Sequence, residues 1–247
     1  CGSWTDLNNA RTIGKSISIY GRTNCTVNIV SITSNDNVIK GIGLFVGPGE
    51  ILDIHGNHNV IDACNITIFD NVDSESITKG IYLYGGNNVI SNCYITTHME
   101  ISITITADFV YHYIYLRASG NRFINNTFNQ GSVALTISGA FNYNLYCFYT
   151  YLGGIISNND ITYGINSYTY RKLANLNSGS DENLIFSNNT IYTGSPLCSD
   201  NCTLFEISGY NIIISNNSIT VTSGTITNTG SATHFINANN IPTLTFS

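Results

Sequence analysis

The sequence predicts an all-β fold, a right-handed single-stranded parallel β-helix of about seven to eight coils, and three observations carry that prediction. The first is a repeat. The stretch Asn87-Asn88-Val89-Ile90-Ser91-Asn92-Cys93-Tyr94-Ile95 has relatives at residues 59–66, 122–128, 156–161, 186–191 and 214–219. Marker positions 64, 93, 126, 159, 189 and 217 stand 29, 33, 33, 30 and 28 residues apart, a period that belongs to solenoids and arrays. The second is local periodicity: apolar residues alternate in twos (Val89, Cys93, Ile95; Ile156, Ile161) and β-branched residues dominate, which is the signature of strands. The third is an Asn pair at a fixed place in most units.

Each coil is built in the same order. A strand such as Gly80-Ile81-Tyr82-Leu83-Tyr84-Gly85, Ile114 to Gly120, Leu173 to Asn177 or Leu204 to Gly209 ends in a Gly or Asn turn. A second strand, an Asn turn, a third strand and a longer loop follow. The turn position suits Asn because Asn tolerates the left-handed backbone that a tight bend needs. Stacked amides about 4.8 Å apart can hydrogen-bond from coil to coil. The expected turn ladder is Asn92, Asn125, Asn158, Asn188 and Asn216.

On these residues the chain resembles the pectate-lyase-like β-helix superfamily over roughly residues 50 to 220. The resemblance implies the fold, and it implies little about function, since that superfamily holds lyases, hydrolases, tailspikes, adhesins and surface proteins. None of its catalytic carboxylate and basic-residue motifs can be placed on a position of this chain.

One domain is expected over 1–247: N-terminal coils to 56, regular repeats from 57 to 224, and a partial coil from 225 to 247. Residues 15–20 and 27–32 alternate and predict a strand-rich first coil; no amphipathic helix precedes it or follows the last repeat. Uncovered strands at both ends expose unpaired backbone groups, so head-to-tail pairing between copies into a filament is expected.

Charged residues make up 10% of the chain and the net charge is −6, against nucleic acid as a partner, since that needs a basic stripe. No apolar run is long enough to span a membrane. Seven cysteines and sequons at Asn24, Asn65, Asn125, Asn188, Asn201 and Asn216 point to an exported protein, extracellular or on the cell surface, in an oxidising setting. Asn24, Asn65 and Asn201 are the expected glycan acceptors, the other three being assigned to the turn ladder. The start Cys1-Gly2-Ser3 reads as a mature form; it resembles a processed lipoprotein with lipid on Cys1, a disulfide at Cys1 being the alternative. Cys198 with Cys202 closes a small loop and is the first expected disulfide. Cys64 and Cys93 share a slot in successive coils and are the second, with a pair of buried thiols as the alternative. Cys1, Cys25 and Cys147 remain.

Three loops depart from the repeat. Residues 70–76 offer Asp70, Asp73 and Glu75 as oxygen ligands of the kind Ca²⁺ takes, without a known loop spacing, so a solvated acidic loop is expected and no cofactor. Residues 141–151 and 163–170 concentrate aromatics, among them Tyr143, Tyr146, Tyr149, Tyr151, Tyr168 and Tyr170. Such sets stack on sugars or bury an interface.

Glycoside cleavage wants two carboxyl groups about 5 to 9.5 Å apart. The outward slots of the third strand (Asn65, Tyr94, Thr127, Asp160, Thr190, Ser218, then Thr67, Thr96, Asn129, Thr162, Tyr192, Thr220) hold one carboxylate. The first strand offers Tyr82, Tyr84, Tyr115, Arg117, Asn175, Asn177, Glu206 and Ser208, again without a pair. Asp53, His55, His58 and Asp62 have metal-ligand and general-base chemistry but straddle a Gly56-Asn57 turn that points them apart. The sequence therefore predicts a non-enzymatic exported structural or adhesive surface protein that assembles end to end. A carbohydrate-active β-helix, lyase or hydrolase, or a tailspike-like glycan binder, is the alternative.

Overall fold

The computed structural model describes residues 11–21, 25–47, 51–71, 78–102, 109–136, 143–163, 171–179, 182–193, 203–221, 234–239 and 244–246. Among them every regular element is a strand and every strand pairing is parallel. The strands lie in stacked sheets, an arrangement compatible with a β-helix or solenoid.

Three ladders organise the chain. Leu52–Ile54, Thr78–Leu83, Phe109–Leu116, Tyr143–Thr150, Arg171–Ser178, Thr203–Gly209 and His234–Asn239 form the first. The second runs from Ser18–Tyr20 and Val38–Lys40 through Val60–Asp62, Val89–Ser91, Arg122–Ile124, Gly154–Ser157, Leu184–Ser187 and Ile212–Ser215 to Leu244–Phe246. Gly43–Val46, Asn65–Asn71, Tyr94–Ser102, Thr127–Thr136, Asp160–Tyr163, Thr190–Thr193 and Ser218–Val221 make the third. The long strand Thr26–Ile32 belongs to two ladders: its start pairs with Gly43–Val46 and its end with Leu52–Ile54.

The register reproduces the spacing read from the sequence. Ile61, Ile90, Phe123, Ile156, Phe186 and Ile214 stand side by side in the second ladder. Ile19 and Ile39 extend the row at shorter steps, 20 and 22 residues between equivalent turn positions. Parallel inner rows run through Leu44, Ile66, Ile95, Phe128, Ile161 and Ile191 and through Leu52, Ile81, Ile114, Phe148, Ala174 and Phe205. All of these but Ile19 are buried, so one continuous apolar core fills the space between the ladders. Ala174 leaves room for Phe186, whose ring meets Phe148 and Phe205 edge-on, a favoured aromatic geometry.

The Asn pair divides its labour, which corrects the expected ladder. Asn92, Asn125, Asn158, Asn188 and Asn216 take φ between 52° and 56° and are exposed; they supply the left-handed bend. The amide ladder belongs to the residue after each. The backbone N–H of Asn126 donates to Asn159 Oδ1 at 2.9 Å, that of Asn159 to Asn189 Oδ1 at 3.1 Å, and that of Asn189 to Asn217 Oδ1 at 3.0 Å. Each Nδ2 also donates backwards, to Ile90, Phe123, Ile156 and Phe186 carbonyls respectively. Asn126, Asn159 and Asn189 therefore each clamp three successive turns, and buried polar groups so satisfied stabilise one register. A second amide ladder, Asn37, Asn59, Asn88 and Asn121, occupies the turn between the first and second ladders.

Cys64 and Cys93 occupy the amide slot where Asn would stand. Both are free thiols, so the expected Cys64–Cys93 disulfide is absent and the buried-thiol alternative holds. Cys64 N–H donates to Cys93 Sγ at 3.4 Å, and Cys93 N–H to Asn126 Oδ1 at 2.9 Å, so sulfur takes the place of an amide oxygen. The thiols hydrogen-bond to one another, which lowers the Cys64 pKa to about 7 and raises that of Cys93. Cys147 is a free core thiol, and Cys25 is disulfide-bonded.

Candidate functional site

The outward side of the first ladder is aromatic. Its central row runs, residue against residue, from Asp53 through Tyr82, Tyr115, Tyr149 and Asn175 to Glu206. A parallel row lies at the strand ends: the backbone N–H of Tyr84 donates to Ile54 O, that of Arg117 to Leu83 O and that of Tyr151 to Leu116 O. His55, Tyr84, Arg117 and Tyr151 are thereby brought into line. Strand alternation explains both rows, because Leu52, Ile54, Ile81, Leu83, Ile114 and Leu116 point into the core.

The rings form an unbroken contact series. His55 lies flat on Tyr84, with centroids 4.4 Å apart and planes at 9°. Tyr84 meets Tyr82 edge-on at 3.9 Å, Tyr82 meets Tyr115 at 4.3 Å, and Tyr115 meets Tyr149 edge-on at 5.0 Å. Tyr149 reaches Tyr146 at 5.7 Å, and His112 sits among Tyr115, Tyr146 and Tyr149. His112 and Tyr146 face outward with these rings because the strand breaks its alternation after them: Tyr113 with Ile114, and Cys147 with Phe148, all turn into the core.

Polar groups frame the series. Asp53 Oδ2 and His55 Nε2 lie 2.8 Å apart. At the other end Glu206 Oε2 accepts from the Tyr146 hydroxyl at 3.0 Å and from Asn175 Nδ2 at 3.1 Å. The Arg117 guanidinium stands 4.7 Å above the Tyr84 ring centre, within cation–π range. Burial raises the pKa of Tyr82, Tyr115, Tyr146 and Tyr149; hydrogen bonding to Tyr84 adds to the shift at Tyr82, and the Glu206 charge adds to that at Tyr146. These phenols are therefore neutral hydroxyl donors and acceptors at neutral pH. Exposure is graded: Tyr82 and Tyr146 are 4% and 5% exposed, Tyr84, Tyr115 and Tyr149 are half-buried, and Tyr151 is 48% exposed. The outer row is the accessible one.

Of the aromatics singled out in the sequence, Tyr146, Tyr149 and Tyr151 belong to this face. Residues 143–150 are a first-ladder strand rather than a loop, with Tyr143 at its start. Tyr168 and Tyr170 lie outside the described residues. Tyr82, Tyr84, Tyr115, Arg117 and Glu206 were legible as outward slots, and His112 was not, because the break in alternation leaves no mark in the apolar pattern.

Of Asp53, His55, His58 and Asp62, the first two stay together and the other two part from them. Asp53 holds His55, His58 Nδ1 lies 3.8 Å from Asp36, and Asp62 pairs with Lys40 at 2.7 Å while accepting from Ser91 Oγ and Asn92 Nδ2. No cluster of three metal-ligating residues occurs among the described residues. Asp70 belongs to the strand Asn65–Asn71, and Asp73 and Glu75 lie outside the described residues. So do Cys1, Cys198, Cys202, Asn24 and Asn201. Asn65 is exposed on its strand; Asn125, Asn188 and Asn216 are exposed as well, so the amide ladder offers no obstacle to a glycan there.

Fold and face together define a parallel β protein carrying an outward aromatic file. No family model matches the chain, and neither curated proteins nor solved structures gave a match.

Proposed function

We propose that this chain is a right-handed parallel β-helix of the pectate-lyase-like kind, exported to the cell exterior, which holds an extended glycan along its aromatic face without cleaving it. The observation that carries this reading is the file His55, Tyr84, Tyr82, Tyr115, Tyr149, Tyr146, in which each ring touches the next. Rings with hydroxyls offer apolar faces for sugar rings and hydrogen-bonding groups for sugar hydroxyls.

Non-cleavage is supported by the placing of the acids. Asp53 and Glu206 are separated by the whole row Tyr82, Tyr115, Tyr149 and Asn175, roughly 24 Å at about 4.8 Å per strand. A carboxyl pair for glycoside cleavage spans about 5 to 9.5 Å. An adhesive rather than catalytic surface fits that spacing. The Cys25 disulfide and the sequons fit export.

Binding of purified protein to an immobilised glycan panel tests the reading, with Tyr84→Ala and Tyr115→Ala beside the wild type. Retention of at least one glycan class, lost on both substitutions while the fold is kept, is expected. Retention that ignores both substitutions would overturn it, and new reducing ends or unsaturated products released from a retained glycan would replace adhesion by catalysis. Electron microscopy of the same sample reads the end-to-end assembly expected from the sequence: unbranched fibres support it, discrete particles refute it.

A further inference from the structure

The outer row of the face carries a cation set in an aromatic line. Arg117 is exposed, lies over the Tyr84 ring, and precedes Tyr151 in the row. Among the described residues it has no carboxylate partner, whereas both acids of the face are engaged, Asp53 by His55 and Glu206 by Tyr146 and Asn175. The cation is thus uncompensated on a chain of net charge −6.

We propose that Arg117 is the specificity-determining residue of the face and selects a glycan bearing anionic groups, carboxylate or sulfate ester, over a neutral one. The inference rests on the glycan-binding reading above. A guanidinium presents a planar fork of donors that matches a carboxylate or sulfate oxygen pair. Its contact with the Tyr84 ring reduces the ordering required when the anion arrives. With one sugar ring on the exposed Tyr151, the next residue of the row, the charged substituent of that sugar falls beside the guanidinium. A polyanion meets a net negative protein elsewhere, so the favourable contact is confined to this row and sets the register of the bound chain.

The test is calorimetric titration of the full chain at neutral pH with three matched probes: an oligoglucuronate, the glucan obtained from it by carboxyl reduction, and the same glucan sulfated. The wild type is expected to bind one of the anionic probes about tenfold or more tightly than the glucan, the worth of one charge-assisted contact. Which of them binds identifies carboxylate or sulfate as the group recognised. Arg117→Gln should erase that preference, Arg117→Lys should restore part of it, and added salt should weaken only the anionic probe. Equal binding of all three probes, unchanged in Arg117→Gln, overturns the inference and leaves the glycan-binding reading standing. Absence of binding to all three, together with a glycan panel insensitive to Tyr84→Ala, overturns both.

Discussion

The backbone N–H of Asn126 donates to Asn159 Oδ1 at 2.9 Å, while Asn158, one residue earlier, makes the left-handed bend with φ of 56°. Two adjacent asparagines thus do different work, and substitution separates them. Asn159→Ala removes an acceptor for Asn126 and donors to Phe123 O and Asn189, stranding buried groups at a cost of about 3 kcal/mol. Asn158→Gly keeps the bend and should be nearly neutral, with Asn158→Ala costing about 1 kcal/mol. Urea titration of the three variants checks the order; equal losses at both positions would contradict the division.

Cys93 stands where the repeat places a ladder amide. Cys93→Asn replaces the sulfur acceptor of Cys64 N–H by an amide oxygen, and the thiol donor to Ile61 O by an Nδ2 that also reaches Asn126 Oδ1, the pattern that Asn126 itself shows one turn on. A gain of about 1 kcal/mol in unfolding free energy is expected. Thiol labelling of the wild type gives the companion measurement: Cys64, Cys93 and Cys147 are buried, so they should react only as the protein opens.

Asp62 carries an acid dependence. Hydrogen bonds from Lys40 first, then Asn92 and Ser91, lower its pKa. The native state therefore binds the carboxylate form preferentially, and its contribution is present above the ordinary carboxyl value, about 4. It is lost as pH falls through the depressed native value. Asp62→Asn should be less stable than wild type at neutral pH and converge with it in acid. A constant difference between the two across that range would show that Asp62 acts by packing alone.

Alkali should act on the aromatic face in the opposite sense. The pKa values of Tyr82, Tyr115, Tyr146 and Tyr149 are raised by burial, so folding favours their neutral forms. Stability is full below the ordinary tyrosine value, about 10, and falls as pH rises through the native values. Ultraviolet titration should resolve an early group of phenols and a late group that ionises with unfolding. Replacing Tyr82, Tyr115, Tyr146 and Tyr149 by Phe should shrink the late group by four phenols.

The spacing of markers 64, 93, 126, 159, 189 and 217 was enough to give the strand register, since one slot per coil fixes every neighbour once strands are parallel. The first coils lacked that signal because Gly41 and Asp36 make their left-handed turns in place of an Asn pair. The two roles of the pair merged in the sequence because both want Asn, one for its backbone tolerance and one for its amide. Strand alternation exposed Tyr82, Tyr84, Tyr115 and Arg117. It hid His112, and it left Tyr146 marked only by the density of aromatics over 141–151, because each strand turns two successive residues into the core. The free state of Cys64 and Cys93 depends on a side-chain torsion, which slot spacing does not encode.

The amide ladder and the aromatic file share one pitch, because both advance by a single parallel strand per turn of chain. The face is consequently a ruler graduated in coils. Each added or deleted coil would lengthen or shorten it by one graduation, about 4.8 Å, while neighbouring contacts repeat unchanged. Under the glycan-binding reading proposed above, ligand length, and not only ligand chemistry, becomes a heritable variable of such a chain, open to adjustment by duplication of some thirty residues at a time.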